Sequence, residues 1–467
     1  EASATVQEIG GKIAFELGGE ARNLKIDQAE ELWPKGWGGI VRDWIVQNLS
    51  DGFAPVAHAR MTGRYNKAKG VEIISLLGDM DIRNLTADYF APMPKATKGS
   101  GRAKFDRKRF ELDIKHGESG DLKLRKGRVV FTGLDQVDQF LDAKLEIDGP
   151  LGSVLKTIDS KPLEFAKTIG FPSTDAKGDV STQISLNFLI ERKMTADTVT
   201  SSAKAVLKNV SVPKIALDLD LEKADLVLTA DNKGMEVEGN GLLGGVKTDI
   251  NWRENFADQS KFRRQYKLKA KLNDRTWREQ LNFNFEPFTP QFMTGILAAD
   301  ITATFKSDMA GELNAKLDLK DVAMTLPKLG WQKSSKVAAQ AVINAKFSKD
   351  RFTSIPNVRL NGGGMAVRAN ISFERPGKLA KISIDQLQFG ETDIRAIIAP
   401  HKTQKGAGNE SGWDIDVSGK RLDLRSWIAS EEEASVAEKG DPLTLSLNVD
   451  QVQLYPKKFL ERVTGAM

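Results

Sequence analysis

Glu312-Leu-Asn-Ala-Lys-Leu-Asp-Leu-Lys320 is the stretch that decides the fold. Its leucines and its alanine alternate with polar residues, which is the period of a β-strand with one apolar and one polar face. The same period returns in residues 341–348 and 367–374, and turn signals such as Asn361-Gly-Gly-Gly364 lie between the alternating segments. The sequence therefore predicts an antiparallel meander in which one side of the sheet is apolar.

Alternating segments fill most of the chain, including Phe105–Ile147, Ile184–Asn251 and Leu443–Leu454. A turn follows about every 8 to 12 residues, as in all-β proteins. About 25 strands spaced ~4.8 Å apart make a sheet that has to twist or curl. We predict an all-β fold with a few short helices, a long and curved antiparallel meander that forms a taco-like β-groove with an apolar interior.

A few segments depart from this pattern. The spacing predicts a helix over Trp37–Leu49, whose tryptophans we interpret as core residues that cover the sheet. Other predicted helices are Pro150–Ile158, Pro162–Ile169, Arg275–Leu281, Gln291–Leu297 and Leu424–Glu433. Near the N-terminus, Lys12–Leu17 and Asn23–Gln28 are predicted to be two strands joined at Gly18-Gly19.

Composition restricts the function classes. The 467 residues are 28% charged and 40% hydrophobic, which is typical of a folded chain, and no apolar run approaches the ~20 residues of a membrane-spanning helix. The net charge of +5 is spread along the chain, which argues against nucleic acid as a partner. The chain contains no cysteine, and it begins at Glu1, from which we expect a piece of a longer protein.

Motifs for catalysis or cofactors are weak. Gly239-Asn-Gly-Leu-Leu-Gly244 matches the spelling of a dinucleotide fingerprint, but the residues that follow alternate like a strand instead of opening a helix. The three histidines lie far apart in sequence, and most carboxylates alternate with apolar residues and so face solvent. We predict no catalytic residue, no metal site and no cofactor, and therefore no enzyme.

Several motifs resemble a known family. Leu326-Pro-Lys-Leu-Gly-Trp-Gln-Lys-Ser334, the Asn361–Gly364 turn and Gly419-Lys-Arg-Leu-Asp-Leu-Arg425 resemble the AsmA-like C-terminal module of Gram-negative envelope proteins. Trp33-Pro34 with Val41-Arg-Asp-Trp-Ile45, and Gly149-Pro-Leu-Gly-Ser-Val-Leu155, resemble the YhdP-type members. The order of the motifs, which covers most of the chain, carries the resemblance.

The resemblance implies that residues 1–300 are a YhdP-type groove segment and that 301–467 are an AsmA-like module continuing the same groove. It further implies a periplasmic protein, anchored in the inner membrane when full length, that moves phospholipid toward the outer membrane. Phospholipids, both membranes and possibly other envelope proteins are the implied partners. The inner-membrane anchor and the far C-terminal end of that family have no counterpart in this sequence.

An apolar trough also suits acyl chains on physical grounds, since each buried CH₂ contributes ~0.8 kcal/mol. The strand leucines, isoleucines, valines and phenylalanines of the apolar side are the predicted lipid-binding residues. They are Leu112, Ile114, Leu122, Leu124, Leu145, Ile147, Leu186, Phe188, Leu217, Leu219, Leu221, Leu268, Leu313, Leu317, Leu319, Ile343, Phe347, Val367, Ile371, Leu445 and Leu447.

Two alternatives remain at this point. One is a periplasmic scaffold whose groove is filled by its own helices, or a chaperone-like relative that assists outer-membrane protein assembly by pairing its sheet edge with client strands. The other is an outer-membrane barrel. The predicted helices, the scarcity of tyrosine (four residues in all) and the lack of aromatic girdles argue against it.

Overall fold

The structure, a computed structural model, describes residues 1–9, 12–33, 39–67, 70–89, 91–160, 175–190, 198–216, 219–257, 261–281, 284, 286, 288–349, 351–401, 412–432 and 443–466. The chain divides into two compact units, Glu1–Val237 (unit 1) and Glu238–Met467 (unit 2). The predicted boundary at residue 300 separates sequence modules, and it stays a prediction. Strand makes up 72% and helix 10% of the structure, which confirms the all-β class with a few short helices.

Unit 1 is an antiparallel sheet. Its strands are β1 (Ala2–Ile9), β2 (Lys12–Lys25), β3 (Leu49–Ser50), β4 (Phe53–Asn66), β5 (Gly70–Ala87), β6 (Ala96–Asp106), β7 (Arg109–Ser119), β8 (Leu122–Thr132), β9 (Phe140–Pro150), β10 (Lys177–Leu189), β11 (Thr200–Ala216) and β12 (Leu219–Asp231). Apart from β3, which pairs with the end of β5, each strand pairs with the next one along the chain from β1 to β12. The unit is therefore the predicted meander. The boundary between the units lies within β13 (Gly234–Leu243).

Unit 2 repeats this arrangement. Its strands are β14 (Val246–Asn255), β15 (Arg264–Asn273), β16 (Met293–Phe305), β17 (Ala310–Asp318), β18 (Val322–Leu326), β19 (Trp331–Lys333), β20 (Ala339–Ser348), β21 (Arg351–Gly362), β22 (Met365–Arg375), β23 (Lys378–Phe389), β24 (Thr392–Pro400), β25 (Trp413–Asp423), β26 (Leu443–Tyr455) and β27 (Lys458–Ala466). Successive strands pair in the antiparallel sense, except that β17 pairs with β20 and that β25 and β26 run parallel. The prediction of a purely antiparallel meander is wrong at that last pair. A parallel pair needs a crossover connection, and the segment between β25 and β26 contains a helix.

The helices are short. They are α1 (Ala29–Leu32), α2 (Gly39–Asn48), α3 (Leu151–Asp159) and α4 (Arg425–Glu432), with a wide helical turn at Thr276–Gln280. All but α1 match predicted helical segments, four in number, whereas the predicted helix Pro162–Ile169 lies outside the described residues. The predicted helix Gln291–Leu297 is wrong, because Met293 to Phe305 form β16 with Met293, Leu297 and Ala299 buried on one side.

The predicted pair of N-terminal strands is also wrong. Gly18 and Gly19 are extended residues inside the single strand β2, where they lie opposite Ser3 and Ala2 of β1. Glycines mark a turn only when the chain reverses at them, and here the partner strand comes from upstream. Of the glycines in the dinucleotide-like motif, Gly239 and Gly241 lie inside β13, and only Gly244 lies in a turn. That turn joins β13 to β14, and Gly244 and the following Gly245 have positive φ angles of 55° and 76° there.

A small hairpin, β18 and β19, stands between β17 and β20 and pairs with the start of β16. The Trp331 indole donates a hydrogen bond to the Gly363 carbonyl (2.9 Å). Lys333 is buried, and its ammonium donates to the carbonyls of Val322 (2.6 Å), Ser334 (3.2 Å) and Lys320 (3.4 Å). These contacts hold the β18–β19 hairpin in place, although its sequence predicts only a turn.

Burial lowers the pKa of Lys333 in the folded protein. The unfolded chain, with an ordinary lysine pKa of about 10.4, therefore binds this proton more tightly, so the free energy of unfolding should rise as pH increases through the interval between the folded and unfolded values. We expect the stability difference between wild type and Lys333→Met to grow in favour of wild type as the pH rises toward the ordinary lysine pKa. Chemical denaturation across this range measures the difference. A difference that is independent of pH would mean that the ammonium is not desolvated.

Three glycines lie under phenylalanine rings of a neighbouring strand. A Cβ atom on Gly63, Gly78 or Gly311 would lie 2.2 to 2.4 Å from the ring of Phe15, Phe105 or Phe347, respectively. Each ring thus covers backbone that has no side chain of its own, an arrangement that supports glycines in sheets.

We expect Gly78→Ala to destabilise unit 1 by roughly 1 to 3 kcal/mol, since the ring of Phe105 has to leave its place. Thermal or denaturant unfolding measures this loss. Phe105→Leu in the Gly78→Ala background should recover part of it, because the shorter side chain leaves room for the methyl group. Full additivity of the two substitutions would contradict the close contact.

Candidate functional site

The register of the strands shows which side chains share a face. Residues that lie directly opposite each other on paired strands project to the same side of a sheet, so a row can be followed from strand to strand. In both units this procedure collects apolar residues on one side and charged residues on the other.

In unit 1, three apolar rows lie side by side. The first crosses eight strands, β5 to β12, through Ile82, Gly101, Ile114, Gly127, Leu145, Ile184, Ala203 and Ala230. The second contains Met80, Ala103, Leu112, Val129, Ala143 and Leu186. The third contains Leu124, Ile147, Thr182, Ala205 and Leu228. At ~4.8 Å per strand, the first row is roughly 34 Å long.

In unit 2, one row crosses eleven strands, from β14 to β26. We call it the central row, and it consists of Ile250, Leu268, Ile301, Ala315, Ile343, Val358, Ala369, Ile384, Ala396, Val417 and Leu447. Its length is roughly 48 Å at ~4.8 Å per strand. A parallel row on one side holds Leu317, Leu360, Val367, Leu387 and Ile394, and one on the other side holds Ile355, Ile371, Ile382, Ile398, Ile415 and Leu445.

The burial of these rows distinguishes an open face from a packed core. In the central row the alanines Ala315, Ala369 and Ala396 are buried, at 7 to 8% exposure, whereas the isoleucines, leucines and valines are only half-buried. A second protein layer would bury the tall side chains as fully as the short ones. Within the described residues, the tops of these side chains therefore remain open while their bases shield the alanines.

Other parts of the apolar side are covered by the protein itself. In unit 1, Val41 and Ile45 of α2 pack on Phe131 and Leu134. Buried Gln139 accepts a hydrogen bond from the Val41 amide (3.1 Å), which positions the helix. In unit 2, Trp277 packs with Met293, Leu297, Leu319 and Val322. The covering elements thus lie over one part of each sheet and also contact row members such as Ile301, Leu317 and Leu360. Farther along the central row, Val358, Ile384 and Val417 are half-buried.

An aromatic ladder and a buried ion pair lie on the other side of the central row in unit 2. The ring centroids of Trp252 and Tyr266 are 5.8 Å apart, those of Tyr266 and Phe305 5.9 Å, and those of Phe305 and Phe347 5.0 Å. Burial raises the pKa of the Tyr266 hydroxyl. The ladder marks the limit of the apolar face.

Glu254 lies beside this ladder and is fully buried. Its carboxylate accepts hydrogen bonds from the Trp252 indole (2.8 Å) and from the Arg264 guanidinium. A buried carboxylate is tolerated because a guanidinium and a donor neutralise it. Arg263 approaches the second carboxylate oxygen at 3.9 Å and stacks over the Phe256 ring.

The structure brings most of the predicted residues into these rows. Ile114 and Leu145, Leu112 and Leu186, and Leu124 and Ile147 lie in the three rows of unit 1, and Phe188 lies opposite Leu141 in line with Phe131. Leu268, Ile343 and Leu447 belong to the central row, and Leu317, Val367, Ile371 and Leu445 belong to its neighbours. Leu313 lies opposite Ala303 and Ala345, and Phe347 lies opposite Gly311. That these residues bind lipid stays a prediction.

A smaller group is placed differently. Leu122, Leu221 and Leu319 are buried, at 8%, 6% and 3% exposure, so they pack inside the protein in the described structure. Leu219 is half-buried opposite Ala216, and Leu217 lies outside the described residues.

Sequence reasoning missed several members of the rows, above all Val358 and Leu360 of β21. The alternation of this strand is interrupted at Pro356-Asn357, where its pairing with β20 and β22 shifts by a bulge. A bulge inserts one residue and breaks the period of two. The β-branched residues on both sides of Pro356 are the sequence feature that could have predicted this strand.

Within the described ranges, no cluster of three or more histidine and carboxylate side chains can hold a metal ion. His58 lies on the charged side of unit 1, 3.4 Å from Asp79 and 3.6 Å from Glu20. Among the residues that the structure describes, no helix has the length and apolarity of a membrane span.

Comparison with known proteins identifies the family. The model of the YhdP protein family matches residues 5–463, nearly the whole chain. No curated protein and no solved structure matches the chain. With the long antiparallel meander and its apolar side, this match shows that the chain belongs to the YhdP family, a family of envelope lipid-transport proteins.

Proposed function

We propose that the protein carries phospholipids along its apolar face, as part of a bridge between the inner and the outer membrane. The half-buried rows of aliphatic side chains are the observation that carries this proposal. In this proposal the chain works in the periplasm, and the full-length protein is anchored to the inner membrane. Phospholipids and the two membranes are its partners.

The energetics of the face support the proposal. A bound acyl chain removes both its own surface and the tops of the row side chains from water, at ~25 cal/mol per Å² of apolar surface. The rows repeat similar aliphatic residues without one privileged pocket, so a chain gains little by stopping at one position. Sliding along a row then exchanges equivalent contacts.

Transport of this kind needs no reacting group. Movement of an intact lipid breaks no covalent bond, so the face has to provide only apolar contact and a path for the headgroup through water. We therefore propose a carrier without catalytic residues or a cofactor.

Native mass spectrometry of gently purified protein tests the proposal. We expect a series of adducts whose masses match phospholipids of differing acyl length, because the rows do not select one chain. Protein that carries no lipid, and takes up none from vesicles of phosphatidylethanolamine and phosphatidylglycerol, would favour a scaffold. A single ligand at one-to-one occupancy would also contradict the proposal.

A further inference from the structure

One edge of the unit 2 sheet collects positive charge. In an antiparallel meander every second turn lies at the same edge, so the turns β14–β15, β16–β17, β20–β21 and β22–β23 share one edge. We call residues 256–257, 261–264, 305–311, 348–349, 351–352 and 374–378 the basic edge. Its cationic side chains are Lys261, Arg263, Arg264, Lys306, Lys349, Arg351, Arg375 and Lys378.

Backbone hydrogen bonds join these turns into one continuous rim. The Arg263 amide donates to the Phe305 carbonyl (2.8 Å), the Lys349 amide to Met309 (3.1 Å) and the Gly377 amide to Phe352 (3.0 Å). The Arg351 side chain passes the Gly377 turn, at 3.5 Å from the position of a Cβ atom there. Residues that are far apart in sequence thus form a single surface.

The positive charge of the basic edge exceeds its negative charge. In sequence the turns of this edge contain four carboxylates, Asp258, Asp308, Asp350 and Glu374, of which Asp258 and Asp350 lie outside the described residues. Arg263 and Arg264 also lie beside the buried carboxylate of Glu254 on β14, so six of the eight cations remain for the rim. Asp308 accepts a hydrogen bond from the Ala310 amide of its own turn (3.0 Å), and Glu374 pairs with Lys378 (2.6 Å). In the described part of the chain, no carboxylate lies within ion-pair distance of Lys306, Arg351 or Arg375.

The opposite edge of the same sheet differs. There several cations of the described residues have close carboxylates: Arg278 pairs with Asp274 (3.2 Å), Lys336 with Asp321 (2.8 Å) and Arg425 with Asp423 (2.6 Å). The buried clusters around Trp277 and Trp331 also lie toward that edge. The apolar side of the sheet is therefore packed toward that edge, and half-buried apolar side chains lie toward the basic edge.

Apolar side chains accompany the charges. Phe352 and Met309 are 44% and 46% exposed, and Phe305 and Phe347 lie where the apolar face reaches this edge. From Ile301 in the central row to Phe305 the strand extends about 13 Å, at ~3.4 Å per residue. An acyl chain on the rows can thus place its polar end beside the guanidinium and ammonium groups.

We infer that the basic edge is a binding rim for the phosphate groups of lipids whose acyl chains lie on the apolar face of unit 2. Guanidinium groups bind phosphate oxygens through paired hydrogen bonds, and lysines add positive charge along the rim. The inference rests on the proposed function and adds the site that contacts the lipid phosphate and the edge from which the headgroups project.

A selectivity measurement tests the inference on the whole chain. The protein is incubated with vesicles that contain phosphatidylglycerol, phosphatidylethanolamine and diacylglycerol with the same acyl chains, and the bound lipids are extracted and counted. We expect wild type to prefer the phospholipids about tenfold, and Lys306→Gln/Arg351→Gln/Arg375→Gln to lose this preference while it retains lipid. Lys316→Gln/Arg359→Gln/Arg368→Gln is the matched control, since it removes three exposed charges from one row on the charged face and should keep the preference.

The outcomes separate the two proposals. If the basic-edge variant keeps the preference, or if raising the salt concentration leaves the preference of wild type unchanged, the inference is wrong while lipid carriage stands. If wild type retains neither class of lipid, the proposed function fails. Inorganic phosphate, added at constant ionic strength, distinguishes a lipid headgroup from free phosphate as the ligand of the rim. If phosphate displaces diacylglycerol and phospholipid alike, or if phosphate binds while wild type shows no preference among lipids, the rim binds free phosphate and the inference is wrong.

Discussion

Ile384→Arg should stop lipid passage and leave the protein folded. Ile384 is a half-buried member of the central row, flanked by Ala369 and Ala396 on the adjacent strands, so an arginine there stands above its neighbours. An acyl chain that passes this position has to displace water from the guanidinium, which raises the cost of passage by several kcal/mol. We expect crosslinking of lipid beyond this position to be lost in a functional full-length protein.

Stability should change much less. The side chain replaced is partly open to water, and the long arginine stem lets the guanidinium remain hydrated, so we expect a loss of about 1 kcal/mol or less. Ser383→Arg is the matched control: it adds the same charge one residue earlier on the other face, opposite Asn370 and Ile397, and should affect neither property. An Ile384→Arg protein that unfolds would mean that the face is a closed core, and normal lipid passage would contradict a conducting face.

Trp277→Ala should cause the largest loss of stability, about 3 to 5 kcal/mol, through the cavity that the missing indole leaves. Trp277 is 1% exposed, packs with Met293 and Leu297, and donates a hydrogen bond to the Phe288 carbonyl (3.3 Å). Denaturant unfolding followed by circular dichroism measures the change.

Trp44→Ala gives the comparison. The sequence predicts a core residue at this position, but the structure shows Trp44 half-buried, with its ring 6.4 Å from that of Phe131. Its loss should therefore be smaller, about 2 kcal/mol. Equal losses of stability in Trp277→Ala and Trp44→Ala would contradict this difference in burial. If Trp44→Ala binds no lipid while its stability is unchanged, α2 is a gate for lipid and not a structural cover.

Local patterning was enough to predict the strands and their faces. A period of two sets which side of a strand is apolar, and this holds for Leu313 and Leu317 wherever the strand lies. The helix α2 and the turn at Gly244 were also predictable, because both depend on residues that are close in sequence. The N-terminal strand pair failed, since adjacent glycines carry no information about which distant strand lies opposite them.

Local patterning therefore predicts the all-β class and the apolar side of the strands, and the motifs predict the family. Burial depends on which segment packs over a strand and not on the period of the strand, so only three-dimensional contacts explain why Leu319 is buried beside Val322 while Leu313, on the same strand face, stays half-buried. Long-range contacts also produce the parallel pairing of β25 with β26 and the joining of Arg263, Lys306, Arg351 and Arg375 in one basic edge. Both features arise from pairing between residues far apart in sequence, and such pairing is set by the sum of contacts across the sheet.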